Sequence, residues 1–263
     1  MQPNELLHIE NQAIQLIKRT GQWMLEQRVN PIDIEIKTPN NLVSFVDKES
    51  ERQLVAGLSE IFPLAGFIAE EGTGERAEVW NWVIDPLDGT TNFLHGVPIW
   101  CISVALCYNQ QAVIGIIYDP NQDQCFHAVK DNGAFLNDTP IHVSHQTSLR
   151  DALLVTGFPY DDFGREEQYI SLFRALMKNT RGIRRLGSAA LDLAWVACGR
   201  FEAFYEYGLN PWDVAAGAII IEEAGGQVTG FHDGHPIFEE DILASNTHIH
   251  QELRKIIQLH FTL

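Results

Sequence analysis

The chain has 263 residues and carries 35 acids against 18 lysines and arginines, a formal net charge of −17. That length suits one large domain or two intimately packed halves, and it lets about three quarters of the unfolded surface be buried. The acidic balance argues against direct nucleic-acid binding, with Arg181, Arg184 and Arg185 as the densest basic cluster, and no apolar run is long enough to span a bilayer.

The first predicted element is a helix over 4–28, where Leu6, Leu7, Ala13, Ile14, Leu16, Ile17, Trp23, Met24 and Leu25 recur at helical spacing. A second helix is predicted over 47–61, with Leu54, Leu58 and Ile61 on its inner face. The Gly/Glu-rich stretch 70–78 reads as an exposed loop, and Trp82-Val83-Ile84 as a short strand. Strands over 99–107 and 111–118 meet at Asn109-Gln110, and a further pair brackets Asp131-Asn132-Gly133. Then follow a buried strand at 152–156, an amphipathic helix at 163–178, a helix at 189–198 and a strand at 200–206. The last elements are a helix at 213–224, ended by Gly225-Gly226, and a strand at 241–245. The order is mixed α/β rather than a strict βαβ repeat, so layers of helices and sheets are expected. The expected division is an N-terminal half, 1–147, and a C-terminal half, 148–263.

Cys101, Cys107, Cys125 and Cys198 form no CxxC pair and lie in apolar or strand-like surroundings. Free buried thiols in a reducing compartment are expected. The N-terminal stretch shows no charged-then-apolar leader, so the expectation is a cytoplasmic protein without membrane attachment.

Residues 82–93, Trp-Val-Ile-Asp-Pro-Leu-Asp-Gly-Thr-Thr-Asn-Phe, are the most informative segment. Asp85 and Asp88 are hard oxygen ligands. Pro86 fixes φ between them, and Gly89 lets a backbone approach an anion closely. The Gly89 and Thr90 amides stand at a helix start, where the dipole favours phosphate. Metal-assisted phosphoryl chemistry needs that combination. Asp-Pro and Asp-Gly are also common turn formers, and the pair alone is compatible with a structural turn.

The run Asp85-Pro86-Leu87-Asp88-Gly89-Thr90-Thr91-Asn92-Phe93 resembles the signature of the inositol monophosphatase family. A second segment, Trp212-Asp213-Val214-Ala215-Ala216-Gly217 followed by Glu222-Glu223-Ala224-Gly225-Gly226, is similar to another signature of that family. The resemblance spans nearly the whole chain and implies a layered αβαβα sandwich of the sugar/inositol phosphatase type. The type the chain resembles is the bacterial inositol-1-monophosphatase or extragenic suppressor protein.

The resemblance implies a first metal held by Glu70, Asp85 and the Leu87 carbonyl, and a second held by Asp85, Asp88 and Asp213. A third, mostly water-held ion near Glu70 makes two to three Mg²⁺ in all, with Mn²⁺ as a substitute. Ala69 departs from the more usual glycine before the paired glutamates. Thr90 is implied to orient the attacking water, with Asp47 accepting the threonine proton and Glu70 assisting. Asp88, Gly89, Thr90, Gly187, Ser188, Ala189, Glu206 and Asp213 are implied to contact substrate. Structural alternatives stand beside these roles: a solvated acidic loop for Glu70 and Glu71, and helix capping for Asp47, Ser188 and Asp213. Lys37 matches a position near the phosphate entrance. Arg184 and Arg185 suit either an anionic substrate or a subunit interface.

The implied activity is Mg²⁺-dependent hydrolysis of inositol monophosphate, or a related polyol phosphate, by direct attack of a metal-activated water. A lithium-sensitive homodimer is implied as well. Fructose-1,6-bisphosphatase, histidinol-phosphatase and nucleotide 3′-phosphatase activities are alternatives. So is a non-catalytic role with the transcription machinery, implied for some extragenic suppressor relatives. No GxxxxGK[ST] and no GxSxG occurs, which argues against a P-loop enzyme and a serine hydrolase of that type. His232 and His235 have HxxH spacing in a Gly/Pro-rich turn and read as a surface loop.

Overall fold

The computed structural model describes residues 3–27, 34–38, 41–158, 164–232, 237–239 and 241–261, with the backbone alone at 3, 34–38 and 41–44. Helix α1 (Pro3–Gln27) leads to the hairpin β1 (Ile34–Thr38) and β2 (Asn41–Ser44), then to α2 (Phe45–Ile61). Next come β3 (Gly66–Ala69), β4 (Trp80–Asp88), the short α3 (Thr90–Leu94), β5 (Cys101–Tyr108) and β6 (Gln111–Asp119). Strands β7 (Gln124–Val129), β8 (Ala134–Leu136) and β9 (Thr139–Pro140) complete the first sheet. The remainder runs β10 (Leu153–Thr156), α4 (Glu166–Asn179), β11 (Gly182–Arg184), α5 (Ala189–Ala197), β12 (Ala203–Tyr207), α6 (Pro211–Glu223), β13 (Gly226–Thr229), β14 (Asp241–Asn246) and α7 (His250–His260).

The first sheet has seven strands in the order β3-β4-β5-β6-β7-β8-β9. Only its β3–β4 pair is parallel. The second has five, in the order β11-β10-β12-β14-β13, parallel at β11–β10–β12 and antiparallel beyond. Side-chain alternation along each strand sorts the core into layers. Trp82, Ile84, Ile102, Val104 and Ile116 face α1 and α2, packing on Ile17, Met24, Leu54 and Leu58. Val83, Cys101, Ala105 and Ile117 face the other way, onto α5 and α6. Those two helices also meet Val155, Phe204 and Ala244 of the second sheet. The outer face of that sheet, with Leu154, Ala203, Tyr205 and Leu243, is covered by α4 and α7. The arrangement is therefore the expected αβαβα sandwich.

The middle layer explains two sequence features. Helices α5 and α6 are apolar on nearly every side because sheets cover both of their faces. Gly115 of β6 is required by the same closeness, since a Cβ there would stand 2.5 Å from Ile219 Cγ2 and 2.6 Å from the Ala216 carbonyl. The hairpin at Asn109-Gln110 forms as expected, with φ of 46° and 66°. All four cysteines are free, and three of them are buried. No described helix is long and apolar enough to cross a membrane.

Candidate active site

A spacing of three along a regular strand would point Asp85 and Asp88 to opposite faces of the sheet. The structure resolves this with a bulge. Asp85 pairs with Ser103 and Asp88 with Cys101, so two residues of β4 stand against the single Ile102 of β5. Pro86, which has no N–H to donate, occupies the bulge. Both carboxylates consequently face the middle layer, on the side of Ser103 and Cys101. The Leu87 N–H donates to Asp85 Oδ1 at 2.9 Å and fixes that carboxyl against its own turn.

Asp88 joins distant parts of the chain. It accepts from the Ser188 hydroxyl at 2.7 Å, the Ala190 N–H at 2.7 Å and the Ala189 N–H at 3.2 Å, and the Cys101 thiol lies 3.7 Å away. Ser188 is the N-cap of α5, yet its hydroxyl makes no capping bond to its own helix. Asp88 satisfies the first amides of α5 instead. Of Gly187, Ser188 and Ala189, expected at a substrate-contacting helix start, the Ser188 hydroxyl and the Ala189 N–H thus bond Asp88. Asn92 adds a second link, donating to the carbonyls of Ile99 at 2.7 Å and Leu186 at 2.9 Å.

Thr90 opens α3 after Gly89, whose φ of 95° suits glycine. The Thr90 hydroxyl donates to Asp47 Oδ1 at 2.8 Å, with the Leu87 carbonyl at 3.1 Å as a weaker acceptor. Asp47 is buried in the first turn of α2, which begins at Phe45, so it is not an N-cap. Asp213 is likewise the third residue of α6 rather than its N-cap. It forms a capping box with Asn210, accepting that residue's N–H at 2.7 Å. Asp213 also shares a cluster with Asp85 and Asp88 in which ligand oxygens lie within 4.8 Å of one another.

These groups line one cavity of about 140 Å³, together with Glu70, Leu87, Gly89 and Thr90 from the first sheet. Gly187, Ser188, Ala189 and Glu206 line it from the second half of the chain. Of the expected site residues only Asp47 is not on its wall, and it reaches the cavity through Thr90. Arg185 is at the rim, its guanidinium 5.6 Å from the Phe158 ring. Arg184 is exposed and hydrogen-bonded to its neighbour's carbonyl. The Lys37 side chain and His235 lie outside the described residues. His232 bonds the Phe261 carbonyl at 3.0 Å.

Burial pushes Asp85 well above the ordinary carboxylate range, and the charges of Glu70, Asp88 and Asp213 push it further. Burial also raises Asp88, against the lowering effect of its donors. Asp213 is pushed up to about 7 by burial and then by Asp88, and Glu206 to about 8 by burial, with Arg185 opposing. Protein alone therefore leaves this cluster electrostatically strained. An oxygen-only donor set that raises its own proton affinity in this way fits a hard divalent cation, which relieves the repulsion.

A model of the inositol monophosphatase family matches residues 5–260. The chain belongs to the inositol monophosphatase family. Among its relatives, it is 40% identical to Nus factor SuhB of Pseudomonas aeruginosa, over 95% of this chain and 96% of that protein. It is 39% identical to the inositol-1-monophosphatase of Rhizobium meliloti, over 94% and 95% respectively. The crystal structure of extragenic suppressor protein suhB from Bartonella henselae superposes with a TM-score of 0.90 at 37% identity, covering 94% of this chain and 97% of that one.

Three residues of this inositol monophosphatase family member were not singled out by the sequence reading. Glu51 holds the loop after Glu70. Asp192 is buried in α5, lines the cavity, and leaves Oδ1 without a partner among the described residues. Asn92 makes the links given above. Only Asp192 left a readable signal, a lone acid in the apolar run Ala189-Ala190-Leu191-Asp192-Leu193-Ala194.

Proposed function

We propose that this protein is a Mg²⁺-dependent phosphomonoesterase that releases phosphate from inositol monophosphate or a related polyol phosphate. The observation that carries the reading is the convergence of Asp85, Asp88 and Asp213 in a cavity that also contains the Asp47-bonded Thr90. Glu70, Asp85, the Leu87 carbonyl, Asp88 and Asp213 are the residues that would hold Mg²⁺, which when bound neutralises phosphoryl charge and lowers the pKa of water.

The chain's own groups do the rest. Because the Thr90 hydroxyl points its proton at Asp47, its oxygen lone pairs are free to accept from a water in the cavity. Thr90 thereby orients the nucleophile, and Asp47 takes up the proton displaced toward it. Gly89, Thr90 and Thr91 line the cavity at the start of α3, where first-turn backbone N–H groups lack helical partners and would serve phosphoryl oxygens. Glu206, across the cavity, accepts a hydroxyl of the leaving alcohol.

Initial rates of phosphate release on a panel of phosphomonoesters, with and without Mg²⁺ and Li⁺, test the reading. Mg²⁺-dependent, Li⁺-inhibited turnover with preference for polyol phosphates is expected. Asp88→Asn is the informative variant, since alanine would also orphan three donors at roughly 1–3 kcal/mol each. Full Mg²⁺-dependent activity in Asp88→Asn would overturn the assignment.

Partnership with the transcription machinery is a second reading, favoured by the similarity to a protein named Nus factor SuhB. Affinity capture from lysate with wild type and Asp88→Asn separates the two. Transcription proteins recovered equally by both would support an interaction independent of catalysis, and their absence would remove it.

A further inference from the structure

Glu70 lies past the end of β3, at the start of a partly exposed turn, so strand pairing alone does not hold it. The backbone N–H groups from Glu70 to Thr73 nevertheless all have partners. Glu70 donates to the Ile84 carbonyl at 3.2 Å and Gly72 to the Ala69 carbonyl at 3.2 Å. The other two end on one side chain from a different element. Glu71 N–H donates to Glu51 Oε2 and Thr73 N–H to Glu51 Oε1, each at 2.8 Å. Glu51 is fully buried, at 0% exposure. It stands four residues after Asp47, hence on the same face of α2 and one turn further on. One helix face thus carries two acids with parallel tasks: Asp47 orients Thr90, and Glu51 grips both amides of the turn that carries Glu70.

We propose that Glu51 is a positioning residue that presets the Glu70 carboxylate for its divalent cation. The inference rests on the proposed reading of Glu70 as a metal ligand. Glutamate is the residue the geometry demands, because both side-chain atoms must accept. Glutamine would turn an NH₂ toward one of the two N–H groups, and aspartate would keep both acceptors on a stem too short to reach equally well.

Full-length protein stripped of metal and titrated with Mn²⁺, with free Mn²⁺ read by electron paramagnetic resonance, tests this directly. Glu51→Gln is expected to weaken one class of Mn²⁺ site by about ten- to a hundred-fold and leave the others as in wild type. Amide exchange at Glu71 and Thr73 should accelerate in the same variant. In a Glu70→Ala background, adding Glu51→Gln should change Mn²⁺ binding no further, an outcome that general destabilisation does not produce. A folded Glu51→Gln or Glu51→Asp protein that binds Mn²⁺ as wild type does would overturn the proposal. Wild type supplies a further check that needs no variant to fold. Its Glu71 and Thr73 amides should already exchange slowly without metal; slow exchange only after Mn²⁺ addition would mean that the ion, not Glu51, sets the turn. Failure of the metal reading itself would show differently, as wild-type protein that binds no Mn²⁺.

Discussion

The two walls of the cavity are built in opposite ways. On the 85–90 wall, polar groups are met by protein: Asp88 accepts a hydroxyl and two amides, Asp85 accepts its own loop's N–H, and Thr90 is held by Asp47. On the 192–206 wall, one buried acid meets less, and the other has the Arg185 charge near it. Asp192 Oδ1 has no partner among the described residues, and the Glu206 carboxylate lies against Gly157, where a Cβ would stand 2.1 Å from each of its oxygens. A saturated wall has one geometry, which suits groups that must hold cations and a reacting water in place. A wall with a buried acceptor left unpartnered suits a ligand that brings its own hydroxyls. The proposed function divides along the same line, with the chemistry on the first wall and the grip on the alcohol on the second.

The largest expected effect is at Asp85. Asparagine keeps the shape and the acceptor for Leu87 N–H but removes the charge. Phosphatase turnover should fall by roughly three orders of magnitude. Thermal unfolding of metal-free protein should move upward, because burial and the neighbouring acids already disfavour that charge. A variant that lost activity and stability together would mean that the first wall needs Asp85 for folding rather than for cations.

Next in size is the response to Mg²⁺ and pH. Asp213 and Glu206 are raised to about 7 and about 8 in the folded protein. As pH climbs through roughly 4 to 8, the unfolded chain gives up these protons first, so the metal-free fold loses stability on that account. On the proposed reading Mg²⁺ would compete with the protons on the first wall and replace the charge they supplied. The rise in Tm produced by saturating Mg²⁺ should therefore be larger at pH 8 than at pH 5. Equal increments at both pH values would show that the cluster is not where the ion binds. Thr90→Ala comes third: kcat should fall about a hundred-fold with KM little changed, and Thr90→Ser should recover most of it.

The same contrast explains what was legible in the sequence. The first wall is contiguous in the chain, so Asp85, Leu87, Asp88, Gly89 and Thr90 could be read from one segment, and the strands and helices around them from periodicity. The bulge was not legible, since Pro86 signals only a fixed φ and the extra residue shows only in the pairing with β5. Nor were the bonds from Ser188 and Ala190 to Asp88, which join positions about a hundred residues apart. Ser188 reads locally as the cap of its own helix, and tertiary contact overrides that. Asp213 reads as an N-cap for the same local reason, although Pro211 at the helix start moves the cap back to Asn210. Glu51 is hidden differently: in a helix rich in charged residues, one buried glutamate looks like its solvated neighbours.

Two smaller effects sharpen the comparison on the second wall. Gly157→Ala adds only a methyl group, but that methyl must displace the Glu206 carboxylate. KM for a polyol phosphate should rise by about ten-fold with kcat nearly kept if, as proposed, the displaced group grips the alcohol and not the phosphate. If kcat fell and KM held, Glu206 would belong with the chemistry.

Asp192→Asn should do least, and for that reason it separates the walls most cleanly. Burial, together with Glu206 and Asp88, pushes this acid well above its ordinary range. The amide has nearly the same shape and abolishes a charge that the site already disfavours. Stability should stay level or rise by about 1 kcal/mol, and kcat/KM should remain within about three-fold of wild type. Asp85→Asn makes the same chemical change on the opposite wall, in an acid that is also buried and also raised. Burial and proton affinity therefore do not distinguish the two; only their neighbours do, Glu70, Asp88 and Asp213 around Asp85 and Glu206, Asp88 and Arg185 around Asp192. A large loss of turnover in Asp192→Asn would place a working carboxylate on the second wall and end the division of labour, whereas a neutral result beside a crippled Asp85→Asn would tie the chemistry to the bulged strand.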